Sequence, residues 1–236
     1  QSESLALGPT ERACVLLHVY ADDDPTGTPG DRPTIRVTVI DDDAGESGQT
    51  VRPSVRNVAP RIVDAAATDV TEGGRTVLTG RVAAPGVNDT FTLLVDWDDG
   101  QTDTLTLAAD ERDFRLEHLY VDDNPSVTPA DRPTIRFTVL DDDTGEGRLE
   151  LTPLVSNAAP IFAPIADRAL SEGDTLTLSD FPVRFTDVGV ADTFTAEIVW
   201  GDGSPSETLT VTFADGAGRI DGSHLYAAAG VYPETI

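Results

Sequence analysis

The chain of 236 residues contains no methionine, no lysine and one cysteine. No run of apolar residues approaches the roughly 18 to 20 that a membrane-spanning helix requires, so this segment is not expected to insert into a membrane. All 16 cationic side chains are arginine, set against 42 Asp and Glu, which leaves a formal net charge of −26. Phosphate backbones and anionic lipid surfaces are recognised through clustered Lys and Arg, so this balance excludes nucleic-acid and membrane-surface roles. Without Met the chain does not begin at an initiator, and it is expected to be an excerpt of a longer protein. The start QSESLALGPTER has no basic segment followed by an apolar one, which in an excerpt does not count against secretion. A lone cysteine, Cys14, cannot close an internal disulfide, and redox compartment is not legible from it. Aromatic residues make up only 6% of the chain.

What is abundant is aspartate, at 30 residues against 12 Glu. That bias points to turns, caps and oxygen-ligand sites rather than helices, where Glu is the better former. At 39% hydrophobic the chain still has the means to bury cores, and its length suggests about two domains.

Self-similarity sharpens that estimate. Residues 18–60 recur at 118–160 with 25 of 43 positions identical and no gap. The offset of 100 extends backwards over the N-terminal residues and forwards to 180, where a three-residue insertion makes it 103 and pairs DTFTLLVDWDDG (89–100) with DTFTAEIVWGDG (192–203). The triplet His118-Leu119-Tyr120 returns as His224-Leu225-Tyr226. The organisation expected is a truncated first repeat (1–56), a complete repeat (57–156) and a truncated third (157–236). Of these, 57–156 is expected to be the segment that folds cooperatively as a complete unit.

Within 57–156, short β-branched and aromatic segments alternate with Gly, Pro, Asn and Asp clusters, and no window has sustained helical periodicity. Seven strands are predicted, at 61–70, 75–82, 90–97, 102–108, 114–120, 134–140 and 148–155. Seven short strands in about 100 residues is the pattern of an immunoglobulin-like sandwich, so the fold class expected is all-β, as tandem immunoglobulin-like β-sandwich repeats. Alternation puts Phe91, Leu93, Val95 and Trp97 on one buried face, matched in the third repeat by Phe194, Ala196, Ile198 and Trp200. Cys14 aligns with Phe114 and reads as a small core substitute.

The segments Asp96-Trp97-Asp98-Asp99-Gly100 and Val199-Trp200-Gly201-Asp202-Gly203 resemble the WxFGDG signature of PKD (polycystic kidney disease) domains. The segment from His224 to Tyr232 resembles the HxYxxxGxY motif of the same family. The resemblance covers the whole chain and implies PKD-type sandwiches acting as spacers or adhesion modules of large secreted or cell-surface proteins, bacterial ones especially. It also implies a second role, as accessory domains of secreted hydrolases that help engage a protein or carbohydrate ligand. The first two repeats depart from the family pattern in replacing a short turn with a long acidic loop, 121–133 in the complete repeat.

The expected function is non-enzymatic. Each His sits in an H-x-Y at the same position of a different repeat, which favours a bonded structural histidine over a catalytic one. No GxSxG, HExxH, GxxxxGK or CxxC is present. Carbohydrate engagement calls for exposed aromatic platforms, and Trp97 and Trp200 fall on predicted core faces, which weakens the accessory reading.

The carboxylates remain. Strand ends alternate between two poles of a sandwich, which puts 85–89 and 141–146 at the N-terminal pole and 72–74, 98–100 and 122–124 at the C-terminal pole. Stacked end to end, the first junction then brings Asp22, Asp23, Asp24 and Asp31 toward Asp89, Asp141, Asp142 and Asp143. Asp122 and Asp123 hold the corresponding place in the second repeat. Two unit negative charges about 4 Å apart repel by about 4 kcal/mol at an effective dielectric of 20, so such clusters favour a cation. Oxygen ligands without His or Cys select Ca²⁺ before Mg²⁺. Two readings stand at this point: calcium stiffening the array at its loops or junctions, or solvated Asp-rich caps that keep an extracellular protein soluble. The partners expected are the other repeats of the chain and an unidentified protein or carbohydrate.

Overall fold

The structure is a computed structural model that describes residues 2–8, 10–11, 13–22, 27–123, 128–180 and 182–232. Among these residues all regular structure is β, and no helix is long and apolar enough to cross a membrane. The first repeat contributes four strands, β1 (Gly30–Asp31), β2 (Ile35–Ile40), β3 (Glu46–Val51) and β4 (Val55–Arg56). β2 and β3 form an antiparallel ribbon, and β1 pairs with β4. Every residue of the ribbon is exposed.

The second repeat runs through β5 (Arg61–Ala67), β6 (Val70–Thr71), β7 (Arg75–Ala83), β8 (Phe91–Asp96), β9 (Thr102–Leu107), β10 (Asp113–Leu119), β11 (Ala130–Asp131), β12 (Ile135–Asp141), β13 (Glu146–Leu151) and β14 (Val155–Ser156). All seven predicted strands are present. They form a three-stranded sheet, β10-β7-β5, and a four-stranded sheet, β13-β12-β8-β9. The two sheets bury one shared cluster: Leu78, Val82 and Phe114 from the first meet Phe91, Leu93, Val95, Phe137 and Val139 from the second. The period-2 alternation of β8 is what makes this possible. Its even positions face out, and Phe91, Leu93, Val95 and Trp97 are no more than 1% exposed.

A small third sheet, β11-β14-β6, has β6 parallel to β14. The chain changes sheets between β5 and β6, where β5 bulges between Val63 and Ala66 and Asp64 takes a left-handed φ of 52°. Asp69 then accepts the Leu154 N–H at 2.7 Å, and Val70 N donates to the Leu154 carbonyl. This crossover carries Glu72 to the end of the sandwich where the chain leaves for the third repeat.

The third repeat has β15 (Ile161–Phe162), β16 (Thr175–Thr177), β17 (Val183–Thr186), β18 (Ala196–Ile198), β19 (Glu207–Ala214), β20 (Ala217–Asp221) and β21 (Ser223–Leu225). The three-residue insertion falls between β16 and β17, which together replace the single strand β7. β19 pairs with β18 over its first residues and with β20 over the rest, so five strands form one sheet, β15-β17-β20-β19-β18. This sheet and its neighbours enclose a second core that includes Leu178, Phe185, Ile198, Trp200 and Ile220. Burial is therefore not confined to 57–156.

Cys14 is exposed rather than a core substitute. Its counterpart Phe114 is buried because β10 pairs with β7, and residues 2–22 contain no strand among those described. The same contrast sets a test. Phe137 is 1% exposed, whereas its counterpart Val37 is 52% exposed. Phe137→Ala is expected to destabilise the fold by about 3–5 kcal/mol in urea unfolding followed by tryptophan fluorescence. Val37→Ala should change it by no more than about 0.5 kcal/mol. Equal effects would mean that the first-repeat ribbon is packed in solution.

Candidate metal centre

The geometry of the acidic loops begins at the histidines. The His118 ring stacks on Trp97 with centroids 4.5 Å apart and planes 8° from parallel, and its Nε2 lies 2.7 Å from Asp99 Oδ2. Tyr120 donates its hydroxyl to the Trp97 carbonyl at 2.9 Å. Burial, and then the charges of Asp99, Asp98 and Asp96, push that phenol well above its ordinary range, so it stays a donor. The third repeat copies the arrangement: His224 stacks on Trp200, its Nε2 lies 2.8 Å from Asp202 Oδ2, and Tyr226 donates to the Trp200 carbonyl at 3.0 Å. Hydrogen bonds from Ser204 and His224 hold the Asp202 carboxyl well below the usual carboxylate range. The H-x-Y triplet thus ties the end of one strand to the W-x-D-G turn of another. It also fixes where the acidic loop departs, because Gly73 N donates to the Tyr120 carbonyl at 2.7 Å and Tyr120 N to the Gly74 carbonyl.

Directly beyond this knot lies the second junction between repeats. Glu72, Asp122, Asp123 and Asp192 each present a carboxylate oxygen, and all four oxygens lie within 4.8 Å of one another. Glu72 is 3% exposed and works in two directions. Its Oε2 accepts the Asp123 N–H at 3.1 Å, and its Oε1 accepts the Ala158 N–H at 2.8 Å from the start of the third repeat. Asp122 Oδ2 reaches across to accept the Ala191 N–H at 2.7 Å. Gly73, at φ 73°, and Val188 approach so closely that a Cβ on the glycine would lie 2.9 Å from the valine Cβ.

The first junction is built to the same plan. Asp22, Asp89 and Asp143 bring their oxygens within the same distance, and Asp22 Oδ2 accepts the Asn88 N–H at 3.2 Å. Asp22 and Asp122 are 100 residues apart, and Asn88 and Ala191 are 103 apart, so one inter-repeat hydrogen bond occurs twice at the repeat offsets. In both junctions the incoming repeat supplies its aspartate from a G-V-x-D loop, residues 86–89 and 189–192. The carboxylate folds back over the glycine, and a Cβ on Gly189 would lie 2.5 Å from Asp192 Oδ2 and 2.9 Å from Glu72 Oε2. Arg112 holds the first of these loops, donating from Nη2 to the Gly86 carbonyl at 2.8 Å while lying over the Phe91 ring.

Charge is concentrated and poorly solvated here. Burial, then the neighbouring charges of Asp22, Asp141 and Asp142, push Asp89 up to about 6. Burial, then Glu72, Asp187, Asp122 and Asp123, push Asp192 up to about 6 as well. Asp123 is raised by burial and by Glu72. Asp89, Asp123 and Asp187 each bury an Oδ2 that no hydrogen bond reaches, at residue exposures of 2%, 4% and 7%. A buried carboxylate oxygen without a donor is costly, and a cation is the partner that removes the cost at several such oxygens together.

Of the acids singled out in the sequence, the structure gathers Asp22, Asp89 and Asp143 at the first junction and Asp122 and Asp123 at the second. Asp141 and Asp142 lie beside the first cluster but serve the loops themselves. Asp141 accepts from Asn57 Nδ2 and Gly145 N, and Asp142 from Thr90 N. Asp31 lies in β1, in register with Val55, and is not among the gathered oxygens. Asp23 and Asp24 lie outside the described residues. Glu72 and Asp192 complete the second cluster without having been singled out as ligands, and Asp187 adds its charge beside Asp192. The 103-residue offset from Asp89 was a sufficient signal for Asp192.

No protein-family model matches the chain, and no curated protein matches it.

The raised carboxyls set a pH dependence. Between their ordinary value near 3.8 and about 6, Asp89 and Asp192 hold protons in the folded chain that the unfolded chain has released. Stability in EGTA should therefore rise as pH falls from about 7 toward 5 and level off below about 4. The double variant Asp89→Asn, Asp192→Asn should flatten that part of the curve. A series of melting temperatures from pH 4 to 7.5 checks it, and an unchanged slope in the variant counts against the assignment.

Proposed function

We propose that the chain is a non-enzymatic spacer or adhesive segment of a large secreted or cell-surface repeat protein, built from tandem immunoglobulin-like sandwiches of the PKD type. The observation that carries this reading is the recurrence of the junction itself. The contact between successive repeats, Asp22 with Asn88 and Asp122 with Ala191, repeats with the sequence, as a linear array requires. The order of the two main sheets in 57–156, with a first strand that leaves one sheet to run parallel to the last, supports an immunoglobulin-like topology. Engagement of His118 and His224 by tryptophan stacks and turn carboxylates supports a structural use of those residues.

The accessory-module reading draws less support. It relies on aromatic platforms, and Trp97 and Trp200 are both 0% exposed. In the spacer reading the junctions set how stiff the array is, and the exposed loops are where a protein or carbohydrate would bind.

Small-angle X-ray scattering of the 236-residue chain tests the proposal. A compact globule of this length has a radius of gyration of about 18 Å. The array should give a clearly larger value and a rod-like distance distribution. A value near 18 Å would contradict it.

A further inference from the structure

We infer that each junction is a calcium site assembled by two successive repeats, with Glu72, Asp122 and Asp123 from one repeat and Asp192 from the next at the second junction, and Asp22 with Asp89 and Asp143 at the first. This rests on the reading of the chain as a pole-to-pole array. It adds that the array is held at its joints by an ion.

Three observations point to a ligand rather than to solvated acids. The oxygens converge from both repeats, and at the second junction all four lie within 4.8 Å of one another. That limit is about twice a Ca–O distance of roughly 2.4 Å, so a single ion can reach all four oxygens. Asp89 and Asp123 are more than nine-tenths buried, and each aims into its cluster a carboxylate that has an oxygen without any hydrogen-bond donor. One ligand pair recurs at both junctions, Asp22 with Asp89 and Asp122 with Asp192, although the sequence offset changes from 100 to 103 between the loops that supply it. Solvated caps need neither burial nor convergence. An all-oxygen set drawn from loops suits an ion that accepts six to eight ligands in flexible geometry, so the ion is Ca²⁺, with backbone carbonyls and water completing its shell.

Because each site takes ligands from two repeats, binding couples the repeats. Removing calcium should loosen the joints while leaving the sandwich cores intact.

The test uses the full chain stripped of metal and titrated with CaCl₂ by calorimetry, together with melting curves in Ca²⁺, in EGTA, in Mg²⁺ and in NaCl of equal ionic strength. The expected result is two Ca²⁺ per chain and a melting temperature raised by about 5 °C or more in excess calcium. Asp192→Asn should weaken one of the two sites by about tenfold or more, and Asp89→Asn the other. Both variants remove a charge from a crowded cluster, so neither should melt below the parent in EGTA, which separates loss of a ligand from loss of fold. Absence of saturable binding, a stoichiometry below two, or an equal response to Mg²⁺ or NaCl overturns the inference. Scattering in EGTA separates this from the array reading: an elongated particle that does not bind calcium leaves the spacer standing and removes the ion.

Discussion

Like charge brought together away from water is the constraint around which the rest of this structure is arranged. At the second junction Glu72, Asp122, Asp123 and Asp192 converge, and Asp187 adds its charge behind them. Two such charges about 4 Å apart repel by about 4 kcal/mol at an effective dielectric of 20. Two responses remain. The carboxyls can retain protons, as the raised values of Asp89 and Asp192 express, or a cation can enter. The repeats meet where these responses compete, so the joint is the part of the chain most sensitive to its surroundings.

The sandwiches serve that joint. The stack of His118 on Trp97, its contact with Asp99 and the bond from Tyr120 to the Trp97 carbonyl fix a strand end against a turn. The acidic loop then leaves from one defined point beside Gly73. The sheet change between β5 and β6 brings Glu72 to the same place. Neither device touches the cluster through its own core residues, yet both decide where the carboxylates stand.

Much of this was legible in the sequence, because two periodicities coincide. The period of two in 91–97 identified the buried face, and the period of about 100 set the acidic loops of one repeat against those of the next. Asp192 was legible as the copy of Asp89, and Asp122 as the copy of Asp22. Asp187 was not, since the second repeat has Ala84 at that position, and only the fold shows its charge beside Asp192. The separate roles of Asp141, Asp142 and Asp143 were equally hidden. Three consecutive aspartates look alike in sequence, and only the fold shows that Asp141 and Asp142 bond within the loops while Asp143 joins the cluster. Cys14 misled for a related reason: a core position is buried only where a facing sheet exists, and alignment to Phe114 does not supply one.

What occupies the space between the repeats decides whether an ion holds them together. Diffraction from crystals of the chain grown with CaCl₂, recorded at a wavelength where calcium scatters anomalously, reads that directly. An anomalous peak is expected at each junction, with carboxylate oxygens of both repeats about 2.3–2.6 Å away. Water alone at both junctions, or carboxyls hydrogen-bonded to one another with no anomalous signal, would contradict it.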